Sequence, residues 1–369
     1  MRIKEIQLYP IALRLKETFK IANVTMHDVR LVISKLTTDE GIVGFGEATP
    51  AWEVTGETQT TVIDIVDYLS PLLIGKRIDS FEEVKACIEL MNPSGSPQIV
   101  WGAPSAKACL EIAMLDAYGK LVKKPIYEIL GGENRTLKSS GVIGIKEPDE
   151  TVSSVGDAIE KGAERIKLKC GIDAERDFAT VKKIRESFPD NPLVLDANQG
   201  YINAERAITF ARKVEKYHID WFEQPILADD ILGLVKLRKE IGIPVMADEA
   251  VHNIFDVELL LELGAVDYIN IKLMKCGGIL EAVKIAELCQ RYNVPCQMGS
   301  MLESAVGTAA GAHAVLAHKN IRTNELGGVN TPETPFAVGI EGTPLQFRLS
   351  GKPGLGVDLS DAKLRRCKG

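Results

Sequence analysis

From about residue 137 onward, short apolar runs rich in β-formers alternate with helical stretches, one unit roughly every 25 residues. Eight such runs can be marked off: LKSSGVIGI, RIKLKC, PLVLDAN, IDWFEQP, PVMADEA, DYINIKLMKC, VPCQMGSM and IRTNELGG. Segments such as AERDFATVKKIRESF and ILEAVKIAELCQRY lie between them with helical spacing of their apolar positions. Near-continuous apolar strands separated by helices imply a parallel sheet covered on both faces. Eight units predict closure into a (β/α)8 TIM barrel, an α/β fold.

The first 125 residues follow another pattern. MRIKEIQLYPIAL and VRLVISKLTTDEGIVGFGEA alternate as antiparallel strands do, and segments around 59–90 and 105–122 have helical spacing. This predicts an α+β cap ahead of the barrel. The closing TPLQFRLSGKPGLGVDLS again reads as strand and turn, so the C-terminus is expected to return to the cap. The expected units are therefore a cap over 1–125, a barrel over 126–332 and a returning segment over 333–369. GFGEA and GKPGLGV fit neither a dinucleotide nor a P-loop pattern and are read as turns.

Composition narrows the function class. With 45% hydrophobic and 26% charged residues the chain can bury a large core. A net charge of −7, without a dense basic run, argues against nucleic acid as a partner. The absence of a membrane-length apolar stretch and of an apolar leader after Met1 predicts a cytoplasmic protein without membrane attachment. Seven cysteines, odd in number and without C-x-x-C spacing, predict reduced packing residues. The five histidines form no metal-binding pattern, and His252, in the loop after the fifth run, is read as solvated.

Barrel active sites lie at the C-terminal ends of the strands. There the third run ends in Asp196 and Asn198, the fourth in Glu223 and Gln224, and the fifth in Asp248 and Glu249. Carboxylates at three successive strand mouths would repel one another without a cation between them. Oxygen donors without nearby Cys or His suit a hard ion, so Asp196, Glu223 and Asp248 are the expected Mg²⁺ ligands. Any one of them alone would more readily be a helix cap or an ion-pair partner; the repetition is what argues for a site. Lys167 and Lys169, two apart on the second strand, share one face. On the sixth run Lys272 is taken as inward with Asn270, and period-two alternation sends Lys275 to the opposite face. Second and sixth strands oppose each other across a ring of eight, so Lys169 and Lys272 would flank the metal. Together these groups suit removal of a proton beside a carboxylate: the ion neutralises the enolate, and a neighbouring cation such as Lys167 lowers the pKa of the lysine base.

At this point K-L-K at 167–169, L-D-A-N-Q-G at 195–200, F-E-Q-P at 222–225, A-D-E at 247–249 and N-I-K-L-M-K-C-G-G at 270–278 resemble the muconate-lactonizing-enzyme subgroup of the enolase superfamily. G-F-G-E-A at 44–48, T-G-E-T at 55–58 and K-P-G-L-G at 352–356 extend the likeness over nearly the whole chain. The resemblance implies a modified barrel with an α+β cap, Mg²⁺ on the three carboxylates, Lys169 and Lys272 as acid/base residues, and Lys167 in support. N-I-K-L-M-K and G-S-M-L-E-S at 299–304 are most similar to dipeptide epimerases of the L-Ala-D/L-Glu type. Members of that type carry Asp-x-Asp at the eighth strand end for the substrate ammonium, where this chain has Glu325-Leu326-Gly327. They also tend to carry an arginine in the loop spanning Lys16 to Thr25, where Val24 stands here and implies a non-acidic, apolar side chain. Asn198, Met298, Ser300, Glu325 and Val24 are the expected substrate contacts.

The leading expectation is thus an isomerase that epimerises a small carboxylate, a dipeptide with a non-acidic or apolar side chain. A muconate-type cycloisomerase, an N-acylamino acid racemase and an o-succinylbenzoate synthase share the same half-reaction and stand as alternatives. A non-catalytic metal-binding barrel would be expected to lack a ligand or a lysine, and none is missing. Homo-oligomers are common among such proteins, and the sequence leaves the state open.

Overall fold

The computed structural model describes residues 1–91, 99–327 and 337–366. The chain opens with β1 (Ile3–Lys20), which pairs antiparallel with β2 (Thr25–Thr38), and β2 pairs in turn with β3 (Val43–Ala48). The residues from Lys16 to Thr25, read from sequence as a loop, are mostly strand. They form a hairpin tip closed by Ile21 N donating to Val24 O at 3.0 Å, with a register shift between Arg14 and Phe19. Four helices follow: α1 (Trp52–Thr55), α2 (Gln59–Leu73), α3 (Phe81–Met91) and α4 (Pro104–Val122).

Helix α4 is buried on nearly every side, because β3 lies directly against it. This explains GFGEA, which is strand and not turn. A Cβ on Gly44 would come within 2.0 Å of Ala113 O, and one on Gly46 within 1.9 Å of Cys109 O. These glycines serve a close strand-to-helix approach.

The second unit is an eight-stranded, all-parallel sheet with its strands in sequence order. The barrel strands are Gly141–Ile143, Ile166–Lys169, Leu193–Asp196, Phe222–Glu223, Val245–Ala247, Tyr268–Ile271, Cys296–Met298 and Ile321–Asn324. Ser140 N donates to Asn324 O at 3.0 Å, which joins the eighth strand back to the first. Each strand falls within one of the eight apolar runs. The first run divides, however: Leu137–Lys138 pairs antiparallel with Gln346–Leu349 near the C-terminus, and only Gly141–Ile143 enters the barrel.

The C-terminal segment touches both units. Its hairpin, Ile340–Thr343 with Gln346–Leu349, extends the small sheet begun by Leu137–Lys138. Beyond it, Leu355 N donates to Asp116 Oδ1 of α4 at 2.8 Å, and Gly354 N donates to Lys124 O at 3.0 Å. The expected boundary at 332/333 lies outside the described residues, as does Cys367; the other six cysteines are free thiols. Among the described residues no helix is long and apolar enough to cross a membrane.

Candidate active site

In the parallel register Lys169 lies opposite Asp196, and Asp196 opposite Glu223. Short strands with fixed pairing thus bring one lysine and two carboxylates to the same level at the C-terminal end of the sheet. Asp248 follows the fifth strand by one residue and joins them. Asp196, Glu223 and Asp248 are all fully buried, each offering one oxygen within 4.8 Å of the others.

Lysines surround this triad. Lys167 Nζ lies 2.9 Å from Asp196 Oδ2 and donates to Glu223 Oε1 and to Glu325 Oε2, both at 2.7 Å. Lys169 Nζ donates to Asp196 Oδ2 at 2.6 Å and to Asn198 Oδ1 at 2.8 Å. From the opposite side Lys272 Nζ lies 2.8 Å from Asp248 Oδ2. Asn270 Nδ2 donates to Glu223 Oε1 at 2.8 Å, and Asn198 Nδ2 to Glu249 Oε1 at 3.0 Å.

Lys275 enters the same cluster. Alternation along a strand predicted the opposite face, but the strand ends at Ile271 and a one-turn helix, Leu273–Cys276, begins at once. The change of period from two to 3.6 swings Lys275 inward. There its Nζ donates to the backbone and side-chain oxygens of Asp248 and, at 3.1 Å, to Asn270 O. Gly277 at φ +96° and Gly278 at φ +137° close this helix. A strand-to-helix switch so close to the lysine pair has one sequence signal, the Gly-Gly that ends it.

The electrostatics follow from burial and from who faces whom. Burial opposes the charge of Lys167, but Asp196, Glu223 and Glu325 outweigh it and hold the ammonium well above its ordinary pKa. Lys272 is likewise raised: burial lowers its pKa, and Asp248 and then Glu325 more than restore it. Asp248 is held well below the carboxylate range, because Lys272 and Lys275 overcome its desolvation. Glu223 goes the other way: burial and the Asp196 charge push it well above. At Lys272 the facing acids outweigh both burial and the Lys167 charge.

Four buried lysines (Lys167, Lys169, Lys272 and Lys275) meet five buried carboxylates (Asp196, Glu223, Asp248, Glu249 and Glu325), so acid is in excess. Among the described residues the buried Glu223 Oε2 and Glu249 Oε2 accept no hydrogen bond, and Asp248 Oδ2 has Lys272 Nζ beside it as an ion-pair partner. Orphaned buried carboxylate oxygens are costly, and a hard divalent cation would satisfy them. The donor set therefore fits such an ion.

The cluster forms the floor of a cavity. Its polar lining is Lys169, Asn198, Glu249, Lys272, Ser300 and Glu325 with Asn23 and Glu53 from the cap, and its apolar walls include Phe19, Ile21, Met26, Val54, Val142 and Leu302. Asn198, Ser300 and Glu325 thus stand where sequence reasoning nominated substrate contacts. Val24 and Met298 do not line the cavity. Val24 packs in a small apolar cluster with Leu15, Phe19, Ile21 and Val29, and Met298 is fully buried in the core. Ser300 is fixed by Glu303, whose Oε2 accepts from both Ser300 Oγ and Met301 N. Sequence reasoning missed Lys275, the hairpin-tip residues Phe19, Ile21 and Met26, and the contribution of α1.

Comparison with known proteins agrees with this geometry. Residues 4–131 match the family model for the mandelate racemase/muconate lactonizing enzyme N-terminal domain, and residues 150–363 match that for the enolase C-terminal domain-like family. The chain is 33% identical over 368 residues to an N-succinyl-L-Arg/Lys racemase of Bacillus cereus, covering 99% of this chain and 97% of that protein. It is also 33% identical over 362 residues to a hydrophobic dipeptide epimerase of Enterococcus faecalis, covering 97% of this chain and 99% of that protein. The crystal structure of a dipeptide epimerase from Enterococcus faecalis, complexed with Mg and L-Leu-L-Tyr, superposes with a TM-score of 0.91 at 33% identity over 97% of this chain and 100% of that one. The chain belongs to the enolase superfamily, and it is an isomerase of the racemase and epimerase kind within the mandelate racemase/muconate lactonizing enzyme branch.

Proposed function

We propose that the protein inverts the α-carbon of a small carboxylate substrate by exchanging its α-proton between Lys169 and Lys272. The observation that carries this reading is the placement of these two lysines, from opposite strands, in the lining of one cavity above the carboxylate triad. One lysine, neutral, takes the proton from one face of the α-carbon. The other, as ammonium, delivers a proton to the opposite face, so the centre inverts and the two lysines exchange protonation states. Asp196, Glu223 and Asp248 would hold Mg²⁺, which supplies the charge neutralisation that makes an α-proton beside a carboxylate acidic. Lys167, between Asp196, Glu223 and Glu325, holds those acids in place.

The apolar walls support a substrate with an apolar side chain or a long aliphatic stem. Glu325, the carboxylate nearest to the position where dipeptide epimerases of the L-Ala-D/L-Glu type hold an ammonium, is already bonded to Lys167. A free amino group therefore meets at the eighth strand end one acid already shared with Lys167, which favours an N-acylated amino acid over the dipeptide put first from sequence. The dipeptide reading retains support from the apolar walls, which suit the substrates that the hydrophobic epimerase relative is named for.

The test is proton NMR in D₂O with Mg²⁺ on matched N-succinyl and N-acetyl amino acids and the corresponding L,L-dipeptides. Faster loss of the α-proton signal from the acylated series is expected. Faster exchange of the dipeptides would overturn the substrate assignment, and exchange of neither would overturn the proposed activity.

A further inference from the structure

Helix α1 is a single turn with no side-chain cap, yet Ala51 at its N-cap, Glu53 and Val54 all line the substrate cavity. Its own bonds are local: Val54 N and Thr55 N both donate to Ala51 O at 2.9 Å, and Gly56 N donates to Trp52 O at 3.1 Å. A turn this short does not hold itself in water. Among the described residues one hydrogen bond ties Trp52–Thr55 to the barrel, between His252 Nε2 and Val54 O at 2.9 Å. The carbonyl can only accept, so Nε2 carries the hydrogen whether the ring is neutral or charged.

His252 is itself well anchored. Its backbone N–H donates to Asp256 Oδ2 at 2.9 Å, and Asn253 and Asp256 form a reciprocal cap on the helix Ile254–Glu262. The loop that carries His252 begins at Asp248 and Glu249, on the cavity floor. A short stretch of backbone, turned by Val251 N donating to Asp248 O at 3.0 Å and ending in one imidazole, thus links the floor to the cap wall.

We infer that His252 is a positioning residue that registers the α1 wall against the barrel and so governs recognition of the substrate side chain. The inference rests on the proposed function and adds to it a residue that touches neither the metal candidates nor the lysines. Without the bond, the wall formed by Ala51, Glu53 and Val54 loosens, and substrates that reach it bind less well. Proton transfer at the floor is unaffected, so a substrate with a methyl side chain reacts as before.

Three forms, wild type, His252→Ala and His252→Gln, separate the outcomes. His252→Ala should raise KM for long side chains about fivefold, the worth of one net hydrogen bond, and leave kcat for the alanine derivative within about twofold. His252→Gln, whose amide N–H can reach the Val54 carbonyl, should restore KM. Unchanged KM across the panel, an equal loss of kcat for the alanine derivative, or failure of glutamine to rescue would each overturn the assignment. Amide hydrogen exchange at Val54–Gly56 supplies a readout independent of turnover. It should quicken in His252→Ala and recover in His252→Gln; equal rates in all three would overturn the assignment even if no tested substrate reacts.

Discussion

The floor and the wall of the cavity are built in contrasting ways. The floor consists of side chains on or just beyond the ends of paired strands, its charges buried and cross-linked, as Lys167 is to Asp196, Glu223 and Glu325. The wall consists of a hairpin tip and a one-turn helix from the cap, with mostly apolar side chains and isolated bonds to the barrel, His252 Nε2 to Val54 O, Ile145 N to Lys20 O at 2.8 Å and Lys146 Nζ to Glu17 Oε2 at 3.2 Å. A network of buried charges cannot shift by an ångström without leaving a charge unpaired, whereas an apolar wall can repack at small cost. The floor is suited to one chemical step and the wall to choosing what undergoes it.

The largest effect comes from breaking the floor. Glu223→Gln removes a proposed metal ligand and leaves Lys167 with one fewer partner carboxylate, so calorimetric Mg²⁺ binding and α-proton exchange should both disappear. Chelation by EDTA should silence the wild type, and added Mg²⁺ should restore it. Activity indifferent to chelator would mean that the orphaned oxygens of Glu223 and Glu249 have some other role.

A second effect concerns the joint between the units. His313, fully buried, accepts from Tyr127 N through Nδ1 at 3.0 Å and donates through Nε2 to Leu355 O at 3.1 Å. Burial lowers its pKa to about 4 from 6.5. The folded form therefore resists the proton that the unfolded chain accepts. The stability this allows is full above pH 6.5 and lost as pH falls toward about 4. The loss attributable to this ring is about 3 kcal/mol. Urea midpoints of His313→Asn should fall less steeply than those of the wild type across that window, and parallel curves would exclude the role.

The smallest effect belongs to the wall. Met26→Ala enlarges it without touching a charge, so KM for long aliphatic side chains should rise about five- to tenfold, as expected for lost apolar contact. Steady-state kinetics against side-chain length would show it, and a comparable fall in kcat for short side chains would blur the contrast between wall and floor.

The same contrast decides what could be read from the sequence. The barrel strands were legible because each is a short, near-continuous apolar run between helical stretches, and the carboxylates that recur at the same end of three successive runs brought out Asp196, Glu223 and Asp248. Lys275 was misplaced because the period changes within three residues of Lys272. GFGEA was misread because a glycine that admits a helix looks, in one dimension, like a glycine that makes a turn. Phe19, Ile21, Met26 and Val54 carry no local signal at all. Their role arises from a cap folding over a barrel whose strand ends lie more than a hundred residues away in sequence, and His252, read as solvated, gains its partner only through that packing.

The most direct measurement is deuterium incorporation from D₂O into each enantiomer of one accepted substrate by wild type, Lys169→Met and Lys272→Met, all with Mg²⁺. The account predicts exchange of both enantiomers by the wild type, and in each variant a loss of interconversion on the order of a hundred- to ten-thousandfold. Any exchange that survives should be confined to a single enantiomer, opposite in the two variants. Undiminished interconversion in either variant would contradict the two-lysine account.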